Sequence, residues 1–255
     1  MTEAITKMTN EIVSILDGSV HSVWLYGSIV LNDFHLGWSD IDYLVLTNET
    51  ISEKQAQNLL MLRQVLSEND SGNLYYRLFE GIITSIGEYQ KGEYRRLVYW
   101  GTSGQKITNS ITEDIFASFE LAGYGKCIYG NNDRSIFSVP GREKIVKAVK
   151  SHYDSIRKYG QQTGDSLYSC GWLLDIARCI YTLRFNEVIG KTQAGIWALK
   201  EHLFQDDIPL KKAVDIRQQP LKYKNDKDTK EWLRNLGPVV ELTADVLEKE
   251  LMLHN

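Results

Sequence analysis

The sequence predicts an α/β unit of α+β character with a small mixed sheet, followed by an all-α helical bundle. Two observations carry that prediction. Over the first half of the 255 residues, short β-branched and aromatic runs alternate with amphipathic helical patterns. The turn-forming stretch Ser138-Val139-Pro140-Gly141 then punctuates the chain, and strand signals nearly vanish beyond it. The expected domains are therefore residues 1–139 and 140–255.

Ala4, Met8, Ile12 and Ile15 recur at helical spacing, and Gly18 can end that helix. Val20 to Tyr26 (VHSVWLY) is short, branched and aromatic, as a buried strand should be. Gly27-Ser28 breaks it, and residues 32–38 (NDFHLGW) are polar and turn-like. Ile41 to Thr47 is the next strand, and residues 51–68 form a helix with Leu59, Leu62 and Leu66 as its stripe. Tyr75 to Ile86 returns to strand character, residues 88–110 carry no clear periodicity, and residues 112–124 read as helix. In the second half the pattern predicts helices over 142–159, 166–186, 192–204, 207–218 and 227–252.

Composition narrows the class of partner. The formal charge is −4 and the two signs are interspersed, with no polybasic block to track a nucleic acid. The first residues lack a basic segment followed by an apolar one, so no signal peptide is expected, and no apolar run is long enough to span a bilayer. Three cysteines (Cys127, Cys170 and Cys179) include no C-x-x-C pair, which predicts a reducing, cytoplasmic setting rather than disulfides or structural zinc.

The chemistry concentrates in one stretch. Asp40 and Asp42 lie two apart at a strand start, so both carboxylates point to one face while Ile41 points to the core. Paired carboxylates repel unless a cation sits between them, and magnesium takes carboxylates together with nucleotide phosphate oxygens. Asp-x-Asp is also common by chance on solvated strand starts. Upstream, Gly27 permits a tight turn with close backbone approach, and Ser28 can offer its hydroxyl and following amides to a phosphate. The third group is Glu80, a carboxylate between Leu78 and Ile82 on an otherwise apolar strand face. It either pairs with an arginine such as Arg77 or Arg95, or joins Asp40 and Asp42 as a base or third metal ligand.

The run Leu25-Tyr26-Gly27-Ser28 through Ser39-Asp40-Ile41-Asp42-Tyr43-Leu44-Val45-Leu46 resembles the nucleotidyltransferase superfamily related to DNA polymerase β. Further along, Ala177-Arg178-Cys179-Ile180-Tyr181 and Gly190-Lys191-Thr192-Gln193-Ala194-Gly195-Ile196-Trp197-Ala198-Leu199 resemble the C-terminal domain of adenylyltransferases that modify streptomycin and spectinomycin. The resemblance implies that Asp40 and Asp42 bind magnesium, and that Gly27, Ser28 and Ser39 lie near the triphosphate of ATP. It places Glu80 on the strand of the catalytic base, Lys191 on the ATP phosphates and Tyr223 on the nucleotide. Trp100 matches a tryptophan of the antibiotic cleft, with core packing as its alternative. Asp165 and Asp175 are candidates for the substrate-binding acid, at a spacing that differs from the family's.

The expectation is thus a cytoplasmic, monomeric enzyme that moves AMP from ATP to a hydroxyl of a small cationic antibiotic held between its domains. A protein or RNA acceptor, or a non-catalytic antitoxin-like module of the same fold, are the alternatives. The weak basic character counts against RNA.

Overall fold

A computed structural model describes residues 1–101 and 104–254. The chain divides into two compact units. The first comprises Met1–Val30, Asp40–Glu113 and Glu120–Ser138, and the second comprises Leu31–Ser39, Asp114–Phe119 and Val139–Asn255. The second unit therefore takes in the segment that separates Ser28 from Asp40.

In the first unit, α1 (Thr2–Leu16) precedes β1 (Val20–Leu25), β2 (Ile41–Thr47) and α2 (Glu53–Asn69). Then come β3 (Phe79–Ser85), α3 (Ile86–Lys91), β4 (Leu97–Gly101), β5 (Gly104–Thr108) and β6 (Lys126–Gly130), while α4 (Ile115–Tyr124), between β5 and β6, starts in the second unit and ends in the first. The six strands lie in the order β5-β4-β3-β2-β1-β6. Among the described residues, β2 and β3 pair in parallel and the other neighbours are antiparallel. Central β2 is buried at every position except Asp42, which is why its sequence is a near-continuous apolar run. Ser52 and Gln55 form a capping box that starts α2.

In the second unit the long helices are α5 (Arg142–Tyr159), α6 (Gly171–Phe185), α7 (Lys191–Lys200) and α8 (Ile208–Gln218). A single turn α9 (Pro220–Tyr223), then α10 (Lys227–Arg234) and α11 (Gly237–Met252), complete it. Its core gathers Val149, Ile156, Leu174, Ile180, Ala213, Leu233 and Leu247 together with Trp38, Phe116 and Phe119 from the two earlier segments. Among the described residues, no helix is long and apolar enough to cross a membrane.

The structure departs from the expected elements in four places. Residues Leu74–Leu78 form a 3-10 turn capped by the Asn73 side chain, so the third strand begins at Phe79 rather than Tyr75. The unassigned 88–110 stretch holds most of α3 and the β4–β5 hairpin, and a short β6 follows α4. Residues Leu167–Cys170 form a 3-10 turn ahead of α6. The expected helix over 227–252 is two helices, because Pro238 has no amide hydrogen to continue the ladder to the Arg234 carbonyl. That carbonyl accepts the Thr163 hydroxyl instead, at 3.2 Å.

Candidate active site

Within the first unit the sheet brings four of the predicted residues together. Gly27 follows β1 in the left-handed region at φ 67° and opens a 3-10 turn over Gly27–Ile29. The Tyr26 amide donates to the Asp42 carbonyl at 3.2 Å, which seats the turn beside the start of β2. A β-carbon on Gly27 would collide with the Asp42 carboxylate, so only glycine leaves room for that side chain. Across the parallel ladder Asp42 is in register with Glu80, and the two carboxylates share a face. Asp40 precedes β2 by one residue.

The Ser28 Oγ is buried and has no hydrogen-bond partner among the described residues. A buried hydroxyl without a partner is uncommon in native proteins, and an absent ion or ligand is one of its ordinary explanations. Asp40 and Asp42 form a hard-oxygen donor set of the kind magnesium uses with phosphate and water. Among the described residues no three His, Cys, Asp or Glu side chains converge as a metal cage.

One further side chain bonds this set and a second acts on it through its charge. Tyr99 on β4 donates its hydroxyl to Glu80 Oε1 at 3.4 Å. Arg63 of α2 donates to the Phe79 carbonyl at 2.8 Å, the Gly101 carbonyl at 3.2 Å and Gln105 Oε1 at 3.2 Å. Burial lowers the Arg63 pKa, while the fields of Glu80 and Asp40 favour its charge. Burial, with the Glu80 charge next in size, raises the Tyr99 phenol. Glu80 thus has Tyr99, not Arg77 or Arg95, as its hydrogen-bond partner. Neither Arg63 nor Tyr99 had a sequence signal, since each reaches Glu80 or its strand only through the sheet.

The remaining candidates lie in the second unit. Lys191 opens α7, and its Nζ is 2.9 Å from Asp175 Oδ1 and 3.1 Å from Oδ2. Arg178, on the same helix as Asp175, bonds the same carboxylate at 3.4 Å. Burial would raise the Asp175 pKa, but Lys191 and then Arg178 hold it below the usual carboxylate range. Asp175 is thus already occupied by two cations. Ser39 is buried and accepts the His35 amide at 3.0 Å. Tyr223 donates to Asp215, and Asp165 makes an exposed ion pair with Arg234 at 3.3 Å.

Trp100, on β4 in the first unit, is 1% exposed with its indole N–H on the Leu59 carbonyl, so it packs in the core.

Two family models match parts of the chain. The family described as "Aminoglycoside adenylyltransferase, C-terminal domain" matches residues 135–245, and "Nucleotidyltransferase domain" matches residues 6–83. Among curated proteins, no sequence matches the chain significantly. A crystal structure of spectinomycin adenyltransferase AAD(9) from Enterococcus faecialis, with ATP and spectinomycin, is 20% identical over 99% of each chain, with a TM-score of 0.65. At that identity the likeness shows the fold. A toxin-antitoxin structure with AMP-PNP is 14% identical and covers 60% of this chain and 90% of its own, but its TM-score of 0.30 supports no conclusion.

Proposed function

We propose that the chain is an aminoglycoside adenylyltransferase of the nucleotidyltransferase superfamily, as the two domain matches support, and that it transfers AMP from ATP to a hydroxyl of an aminocyclitol antibiotic such as spectinomycin or streptomycin. The observation that carries this is the unpartnered, buried Ser28 hydroxyl in the turn that Gly27 packs against Asp42. A phosphate oxygen is the partner that turn is built to accept.

In this proposal Gly27 and Ser28 take the phosphates, and Lys191 grips the triphosphate. Asp40 and Asp42 hold magnesium, which when bound neutralises charge on the phosphates. Glu80 accepts the proton of the acceptor hydroxyl. The freed oxygen bonds to the α-phosphorus, the bond from that phosphorus to the bridging oxygen breaks, and pyrophosphate leaves. Tyr99 holds the Glu80 carboxylate at one oxygen, leaving the other for the proton. A cationic acceptor suits a face that carries Asp42 and Glu80 side by side.

The test is pyrophosphate release with ATP and magnesium over spectinomycin, streptomycin and other aminoglycosides. Release is expected with at least one aminocyclitol, and Asp42→Asn should abolish it. Turnover that survives Asp42→Asn would remove the metal assignment. Silence with every antibiotic, despite ATP binding, would move the acceptor to another chemical class.

A further inference from the structure

The helix that carries Lys191 lacks a cap of its own. Its N-cap residue is Gly190, which has no side chain to accept the first amides, and a cation at the first helical position opposes the helix dipole. The missing acceptor comes from far away in sequence. Asp33 Oδ2 accepts the Thr192 backbone N–H at 3.2 Å, the contact an aspartate at the N-cap would make locally. Gly190 is required for that approach, because a β-carbon there would meet Asp33 Cβ at 2.7 Å.

Asp33 is itself held firmly. Arg217 Nη2 donates to its Oδ2 at 2.8 Å and to its carbonyl at 3.2 Å, while Arg217 Nε reaches Oδ2 at 3.3 Å and Thr192 Oγ1 at 3.2 Å. The Asp33 and Arg217 side chains are 1% and 4% exposed, so this is a buried ion pair with its lone pairs used. His35 Nε2 lies 3.3 Å from Asp33 Oδ1 and 3.4 Å from Thr192 Oγ1, and the Arg217 guanidinium stands over the Trp38 ring at 5.5 Å. The segment so anchored is the one that joins Ser28 to Asp40.

The geometry points to Asp33 as a positioning residue for the transfer reaction: its carboxylate, fixed by Arg217, caps the Lys191 helix and so sets where Lys191 presents its charge to the nucleotide. This rests on the proposed role of Lys191 at the triphosphate. The ends of the same loop lead to Ser28 and Asp40, while its middle caps α7.

A double-mutant cycle on nucleotide affinity tests it, using the magnesium complex of non-hydrolysable α,β-methylene-ATP titrated by calorimetry. Asp33→Asn and Lys191→Gln should each weaken binding by about tenfold, and the double variant by little more than either alone, because contacting or linked groups couple. A core variant that lowers the melting temperature alike, Val149→Ala, should leave the affinity unchanged. If the two losses multiply, or if Asp33→Asn binds as the wild type does, the positioning role is overturned while the Lys191 role stands. If Lys191→Gln alone binds normally, the Lys191 role fails and the inference with it, and persisting pyrophosphate release would show that the chemistry of the first unit survives. Should Asp33→Asn not fold, the paired Asp33→Asn/Arg217→Gln change removes both buried charges together and enters the same cycle.

Discussion

The carboxylate of Asp42 occupies the space that a side chain on Gly27 would take. The glycine is in the left-handed region at φ 67°, so two separate constraints fall on one position. An alanine there would bear a backbone cost of about 1–2 kcal/mol and would also push the Asp42 carboxylate out of its place. The backbone cost alone predicts a loss of several degrees in melting temperature, at roughly 2–4 °C per kcal/mol. Gly27→Ala is therefore expected to stay folded and to lose turnover by about a hundredfold or more, a scale usual for a misplaced reacting group. Wild-type turnover in this variant would mean that the Asp42 position tolerates displacement.

Glu80 and Tyr99 give a graded pair of outcomes. Replacing a general base is expected to cost about 10²–10⁴ in kcat, so Glu80→Gln should show that loss with little change in ATP affinity. Tyr99→Phe removes one 3.4 Å hydrogen bond to the same carboxylate. A bond of about 1 kcal/mol corresponds to a fall in kcat of roughly fivefold. Steady-state kinetics of both variants checks the order. Equal effects, or a Tyr99→Phe effect confined to KM for the acceptor, would count against Glu80 as the base.

How much of this was open to a reader of the sequence differs by element, for physical reasons. Strands β1 and β2 were legible because their burial on both faces demands branched and aromatic runs. The β4–β5 hairpin was not, because β5 (GQKIT) has no fully buried residue and so carries no apolar pattern. The break before α11 was written in Gly237-Pro238 and could have been read. In the site, Asp40, Asp42 and Glu80 stood out as carboxylates in apolar surroundings. Arg63, Tyr99 and the Asp33–Arg217 pair did not, because each meets its partner across many residues and nothing local marks it. The loop around Asp33 reads as an ordinary polar turn until the fold delivers Arg217 to it.

Asp175 meets Lys191 and Arg178 at once, with its side chain 17% exposed. Removing its charge leaves two cations facing a neutral amide and each other. Asp175→Asn should therefore destabilise the fold by about 2 kcal/mol, the scale of a charge-assisted hydrogen bond lost from a poorly solvated site. Chemical denaturation measures this directly. An unchanged midpoint would show that solvent already screens the cluster.

Acid stability follows from the same residues. Asp33 and Asp175 are both pressed upward by burial, but Arg217 and Lys191 respectively, with hydrogen bonds to each carboxylate, outweigh it and hold the folded-state pKa below the ordinary aspartate range. For a depressed carboxylate the stabilisation is present above the unfolded pKa and is lost as pH falls through the folded one. Both contributions should therefore disappear below about pH 4. His152 adds an earlier step. Burial against the ring of Phe116 lowers its pKa from 6.5, with Asp175 opposing, so the folded state favours the neutral ring. The unfolded chain binds that proton more readily, so stability should begin to fall below about pH 6.5, well before the carboxylates titrate. Denaturation midpoints measured from pH 8 to pH 3 should show both declines. In His152→Gln the upper decline should flatten and the lower one remain. If the upper decline persists in that variant, another group is responsible for it.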